Sequence, residues 1–122
     1  AFDVSPYACA RYGWQCASIE TFQTKKIYDL VICHDVVQYL DRVAAEAALT
    51  KLADLSRTAL FFAVLTREDW EQNCDKELTD SDAHLRSSGW YRKRLSKQFR
   101  NAGGGLYIKR DAPVVLYALE SC

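Results

Sequence analysis

Two short stretches of the chain hold almost nothing polar. Tyr28-Asp29-Leu30-Val31-Ile32-Cys33 and Leu60-Phe61-Phe62-Ala63-Val64-Leu65 are continuously apolar, not alternating. Such runs predict parallel strands covered on both faces. Between them, residues 36–40 read as a short turn of helix. Asp41 then stands as N-cap of a helix reaching about Ser56, with Leu40, Ala44, Ala48, Leu52 and Leu55 recurring at helical spacing. Strand, helix and strand in this order predict a right-handed βαβ unit.

The flanks follow the same logic. Phe2-Asp3-Val4 reads as the tail of a strand, and Ser5-Pro6 as a helix start, with Ser as cap and Pro at the first helical position. Residues 7–12 continue that helix and Gly13 stops it. Residues 14–17 are a second short strand, and 18–26 a loop or single helical turn. Residues 67–82 are polar and acidic, a loop with one helical piece. Ser88 caps a helix over 91–102 with the stripe Tyr91, Leu95, Phe99, Ala102, closed by Gly103. Residues 106–110 alternate, Asp111-Ala112-Pro113 turns, and 114–119 return, which predicts a terminal antiparallel hairpin.

Composition fits one folded domain over residues 1–122: 49% hydrophobic, 26% charged, five Gly and two Pro. Sixteen basic residues balance sixteen acidic ones, so no global field draws in nucleic acid or anionic lipid. The apolar runs stop short of a membrane span, and Asp3 and Pro6 interrupt what would be a leader's core. Five cysteines form neither a CxxC pair nor a Cys/His ladder, so no metal site is expected. The thiols read as reduced, in a cytoplasmic protein. Methionine is absent, through removal of an initiator residue or loss of the natural N-terminus.

No GxGxxG, P-loop, GxSxG or HExxH pattern occurs. The one glycine cluster, Gly103-Gly104-Gly105, follows a predicted helix, at the end of the dipole that repels phosphate, and reads as a helix stop.

In its order of segments the chain resembles the class I S-adenosylmethionine-dependent methyltransferases, from their second strand to their C-terminus. Residues 2–8 are similar to the end of the second strand, where an acid holds the ribose hydroxyls; the resemblance gives that role to Asp3, with Val4 beside it. Residues 16–20, Cys-Ala-Ser-Ile-Glu, are similar to the turn after the third strand that reads adenine. There Ser18 replaces the usual Asp, with Ile19 and Glu20 next to it and Glu20 a partial substitute. Residues 28–41 resemble the fourth strand and its turn, which implies that Cys33, His34 and Asp35 line the methionine part of the cofactor. His34 is the one candidate base; it equally reads as a residue lining a cleft. Asp35 reads as a cofactor ligand or as a cap of the following turn.

The implied fold is a Rossmann-like, mostly parallel sheet with a C-terminal antiparallel hairpin. The implied function is methyl transfer to an N, O or S acceptor, a small molecule. The family's strand order is 3-2-1-4-5-7-6, and its first strand and glycine-rich loop have no counterpart here. Their loss leaves the 28–33 strand with an unpaired edge, a template for a second copy of the chain. A non-catalytic, self-associating remnant is therefore the alternative.

Charge is unevenly distributed. Residues 86–110 hold eight bases (Arg86, Arg92, Lys93, Arg94, Lys97, Arg100, Lys109, Arg110) and no acid, whereas 67–82 hold seven acids against two bases. The segment reads either as a phosphate- or RNA-binding face or as a solvated surface paired with the adjacent acids. The second reading makes a nucleic-acid partner unexpected. Trp70, Trp90 and Tyr91 stack on a planar acceptor or bury a lid.

Overall fold

The computed structural model describes residues 1–72, 77 and 83–116. It is an α/β structure with two sheets. The smaller pairs β1 (Phe2–Asp3) in parallel with β2 (Gln15–Cys16), joined by α1 (Pro6–Tyr12). The larger has the order β3-β4-β6-β5, with β3 (Tyr28–His34), β4 (Ser56–Ala63), β5 (Phe99–Gly103) and β6 (Leu106–Lys109). β3 and β4 are parallel, and β6 is antiparallel to both β4 and β5.

Local chemistry sets the element ends. The Ser5 hydroxyl accepts from the Ala8 N–H, Pro6 opens α1, and Gly13 closes it at φ 66°. The Asp41 carboxylate accepts from the Ala44 N–H at the start of α2 (Arg42–Leu55). α3 (Arg67–Gln72) is the helical piece expected in the acidic stretch.

α2 and α4 (Ser88–Leu95) cover one face of the larger sheet. Leu60, Val37 and Phe99 are almost wholly buried there with Cys33, Phe62, Tyr91, Leu95 and Tyr107. Each fully buried side chain of this kind contributes about 1.5–3 kcal/mol. The buried stripe of α2 is Ala45, Ala48, Leu49, Leu52, Ala53 and Leu55, which keeps the expected Ala48, Leu52 and Leu55 and puts Ala45 inside in place of Ala44. Lys109 fixes the hairpin to this layer: its ammonium donates to the Ala53 and Ser56 carbonyls at the end of α2, where the dipole favours a cation.

Several expectations are corrected. α4 ends at Leu95, and Phe99–Gly103 is a strand, not the last turns of a helix. Ser87, not Ser88, caps α4 by accepting from the Trp90 N–H. Gly103-Gly104-Gly105 belongs to the β5–β6 hairpin. Gly103 pairs with Leu106, so Gly104 and Gly105 form a two-residue loop, with φ 62° and 86°. Two positive φ values match the turn whose twist suits a tight hairpin. β6 is thus already paired on both sides, by β4 and β5. Val114–Leu116 forms no strand, and the rest of that expected strand, 117–119, lies outside the described residues. β4 starts directly at the end of α2 and stops at Ala63.

The β3 strand departs in a way that matters more. It was expected to be covered on both faces, yet Leu30 is 52% and Ile32 67% exposed. It is an edge strand, and only its Val31–Cys33 side packs on the helices.

Candidate functional site

The expected residues gather at the carboxyl ends of parallel strands. Asp3 is the last residue of β1, Ser18 follows β2 by two residues, and His34 closes β3. Ligands of open α/β sheets bind at such ends.

At the smaller sheet, Asp3 is half-buried and its Oδ1 accepts from the Ser5 N–H at 2.8 Å. That bond turns the chain into α1, and Oδ2 has no hydrogen-bond partner among the described residues. Val4 is 66% exposed. Ser18 Oγ bonds the Thr21 hydroxyl at 3.0 Å and accepts from the Thr21 N–H, both inside its own turn. Glu20 is exposed and keeps its carboxylate open. Ile19 is buried in the main core. The turn is clamped from outside by Lys51 of α2, whose ammonium donates to the carbonyls of Ile19, Glu20 and Phe22. Phe2 stacks on Phe22, with centroids 4.3 Å apart.

At β3, Cys33 is buried, and burial with the nearby Asp35 charge pushes its thiol up to about 12. It is a neutral thiol, not a nucleophile. The next two side chains are open. His34 Nδ1 lies 3.4 Å from Asp35 Oδ2, and the two side chains are 63% and 54% exposed. The His34 ring also faces Phe61 at 6.5 Å. Asp35 has φ 55°, the one non-glycine residue with positive φ among those described, and its N–H donates to Ala63 O. That conformation swings the chain from the sheet into the 3-10 turn Val37–Tyr39.

Asp35 does not cap this turn with its side chain, as one reading expected. Its Oδ1 accepts instead from Gln38 Nε2 at 3.1 Å. Gln38 was missed as a site residue. It is 3% exposed, and its Oε1 has no partner among the described residues. The signal available was an amide inside the otherwise apolar run 36–40.

No hydrogen bond or ion pair joins the Asp3 group to the His34 group among the described residues. Two clefts of about 460 and 410 Å³ open elsewhere, one between α2 and α4 and one beside β5. None of the eight residues expected at a cofactor site lines either cleft. No three metal-ligating side chains converge, and no helix is long and apolar enough to cross a membrane, among the described residues.

The basic segment is divided: Arg92, Lys93, Lys97 and Arg110 are exposed, whereas Arg86, Arg94, Arg100 and Lys109 are half-buried. Arg86 donates to the Val37 and Leu40 carbonyls and to the Tyr91 hydroxyl. Arg94 pairs with Glu46 at 2.9 Å and lies 3.7 Å over the Trp90 ring. Arg100 and Arg110 donate to Val114 O and Ser96 O. Among the described residues these cations bond backbone carbonyls, the Tyr91 hydroxyl and Glu46 of α2. Glu68 instead accepts from the Ser88 N–H, and Asp75, Asp80 and Asp82 lie outside the described residues. Trp90 and Tyr91 pack edge to face, and Tyr91 is buried.

No family model matches the chain, and no curated protein does. Solved structures do. The N-methyltransferase NodS from Bradyrhizobium japonicum WM9, in complex with S-adenosyl-L-homocysteine, matches with a TM-score of 0.63 at 15% identity. The match covers 90% of this chain and 65% of that one, so the chain spans just under two thirds of its neighbour's length. A second structure of NodS matches with the same TM-score at 16% identity, over 88% and 71% of the two chains. The chain has a methyltransferase-like α/β fold.

Proposed function

We propose that the chain is a methyltransferase domain that binds S-adenosylmethionine and serves an N, O or S acceptor. The observation carrying this reading is that the carboxyl ends of parallel strands hold Asp3, Glu20's turn and the His34–Asp35 pair. The strand orders support it as well. Removing the first strand from the order 3-2-1-4-5-7-6 leaves 3-2 and 4-5-7-6, the arrangement of the two sheets here.

The residues present fit the ligand in part. The free oxygen of the half-buried Asp3 carboxylate suits a ribose hydroxyl, a charge-assisted bond of about 1.5–3 kcal/mol. Because Oδ1 is held by Ser5, Asp3 makes one such bond rather than two. Glu20 takes over from Ser18 as acceptor for the adenine amino group. Cys33, His34 and Asp35 line the amino-acid end. Once bound, S-adenosylmethionine supplies an already activated methyl group, so the protein's work is alignment and exclusion of water.

His34 is suited to hold a proton. Nδ1 lies toward the Asp35 carboxylate, which leaves Nε2 facing away from it as the nitrogen available to an acceptor. Nε2 takes the proton that the acceptor N–H, O–H or S–H loses as its heteroatom attacks. Gln38 holds the other carboxylate oxygen of Asp35 and thereby its orientation.

Calorimetric titration of the chain with S-adenosylmethionine tests the proposal. Saturable binding is expected, weakened about tenfold or more in Asp3→Asn through loss of the charged bond. No heat at millimolar ligand overturns it.

A further inference from the structure

The cleft of about 410 Å³ beside β5 collects three arginines from three places in the chain. Arg92 comes from α4, Arg100 from β5, and Arg110 directly follows β6. Among the described residues no carboxylate lines the cleft, and none pairs with any of the three arginines. Asp111, next in sequence to Arg110, is exposed and lies outside the lining.

Each guanidinium is steadied by one neutral acceptor and keeps donors to spare. Arg92 Nη2 donates to the Ser88 hydroxyl, Arg110 Nε to Ser96 O, and Arg100 Nη2 to Val114 O. A guanidinium has five N–H groups, so most of each fork stays uncommitted. Arg100 Nε is buried with no partner among the described residues, which costs desolvation energy. Asn101, also in the lining, accepts from the Gly103 N–H through Oδ1 and keeps its amide NH2 as a further donor. Three cations gathered in one cleft without an anion repel one another. A bound oxyanion relieves that repulsion and offers Arg100 Nε an acceptor.

The cleft lies at the C-terminal end of α4, where the helix dipole opposes an anion. That opposition is blunted, because the closing carbonyls are already occupied. Arg92 O accepts from the Ser96 N–H, Arg94 O from the Lys97 N–H, Leu95 O from the Gln98 N–H, and Ser96 O from Arg110.

We infer that this cleft binds a phosphate group, carried by a small molecule or free. Planar arginine forks match phosphate bidentately, which lysine does not. The volume falls in the range of small-molecule sites. Half-buried Leu116 adds an apolar wall that the carbon body of a phosphate ester can cover. None of the residues assigned to the cofactor lines the cleft, so the site is independent of methyl transfer.

Calorimetric titration with phenyl phosphate and with inorganic phosphate, at constant ionic strength, tests the assignment. Saturable binding is expected, weakened about tenfold in Arg92→Gln and in Arg110→Gln. Arg92 is exposed and its side chain bonds only Ser88 among the described residues, so its variant keeps the fold. Lys97→Gln removes the same charge from the neighbouring cleft and should change the affinity by less than about twofold, because solvent and salt screen it. Tighter binding of phenyl phosphate supports an ester as the source, and equal affinity supports the free anion. No saturation of the wild type by either probe at about 10 mM overturns the inference. So does an equal loss in Lys97→Gln, which marks a general positive field in place of a built site. S-adenosylmethionine carries no phosphate, so failure here leaves the methyltransferase reading standing, and the reverse holds too.

Discussion

Cys33, His34 and Asp35 are neighbours in sequence with three different fates. Strand alternation turns Cys33 into the core and His34 out of it, and the left-handed backbone at Asp35 redirects the chain. The Cys33 thiol, raised to about 12 by burial and then by Asp35, makes stability depend on pH. An unfolded cysteine ionises near about 8.5. Above that value the unfolded chain loses a proton that the folded chain keeps, so the unfolded state gains. The contribution is full below about 8.5 and is lost as pH climbs toward the folded value. Urea unfolding at pH values between about 7 and about 10 should show stability falling on the alkaline side. Cys33→Ala should flatten that limb at a cost of about 1 kcal/mol at neutral pH, while exposed Cys16→Ser leaves it steep. The burial of Cys33 was legible in its apolar run. The coupling of Asp35 to Gln38 was not, because one buried amide leaves no periodic trace.

Among the elements, the first half of the chain was largely legible, because capping chemistry is local. Ser5, Pro6, Gly13 and Asp41 each do at their positions what their side chains dictate. The second half misled for a definite reason. Tyr91, Leu95 and Phe99 are spaced as a helical stripe and all three are buried, but Phe99 reaches the core from a strand. Inward direction alone does not distinguish a long helix from a short one followed by a strand. The deciding information was the glycine loop, whose positive φ values serve a hairpin. This loop yields a paired prediction. A Cβ at Gly105 would sit 3.1 Å from Phe62 O and 3.2 Å from the Phe61 ring, and Phe62 N–H donates to Gly105 O. Around Gly104 nothing lies within 4 Å. Gly105→Ala should therefore cost more, about 2–3 kcal/mol, than Gly104→Ala, which carries only backbone strain of about 1 kcal/mol. Thermal or urea melts of the two variants check the order.

At the scale of the molecule, the chain is two sheets joined by an exposed link, residues 23–27. Among the described residues β3 pairs on one side alone, as the order of the segments led one to expect. The smaller sheet is held, among the described residues, by Ile19 in the core, by Phe2 packed against it and by the three carbonyls gripped by Lys51. Bonds to a charged donor are worth about 1.5–3 kcal/mol, so Lys51→Met should loosen the smaller sheet while sparing the larger. Limited trypsin digestion followed by mass spectrometry should find cleavage after Lys25 or Lys26 several-fold faster in Lys51→Met than in wild type, and equal rates would refute the clamp.

The exposed dibasic link carries a consequence for any sample that meets a protease. One nick there turns residues 1–26 from a tethered lobe into a peptide ligand of the remainder, held by the Lys51 ammonium, Ile19 and Phe2. Its retention then follows mass action. Dilution would strip Asp3 and Glu20 away and leave a soluble-looking product that has lost half of its proposed binding rim without unfolding.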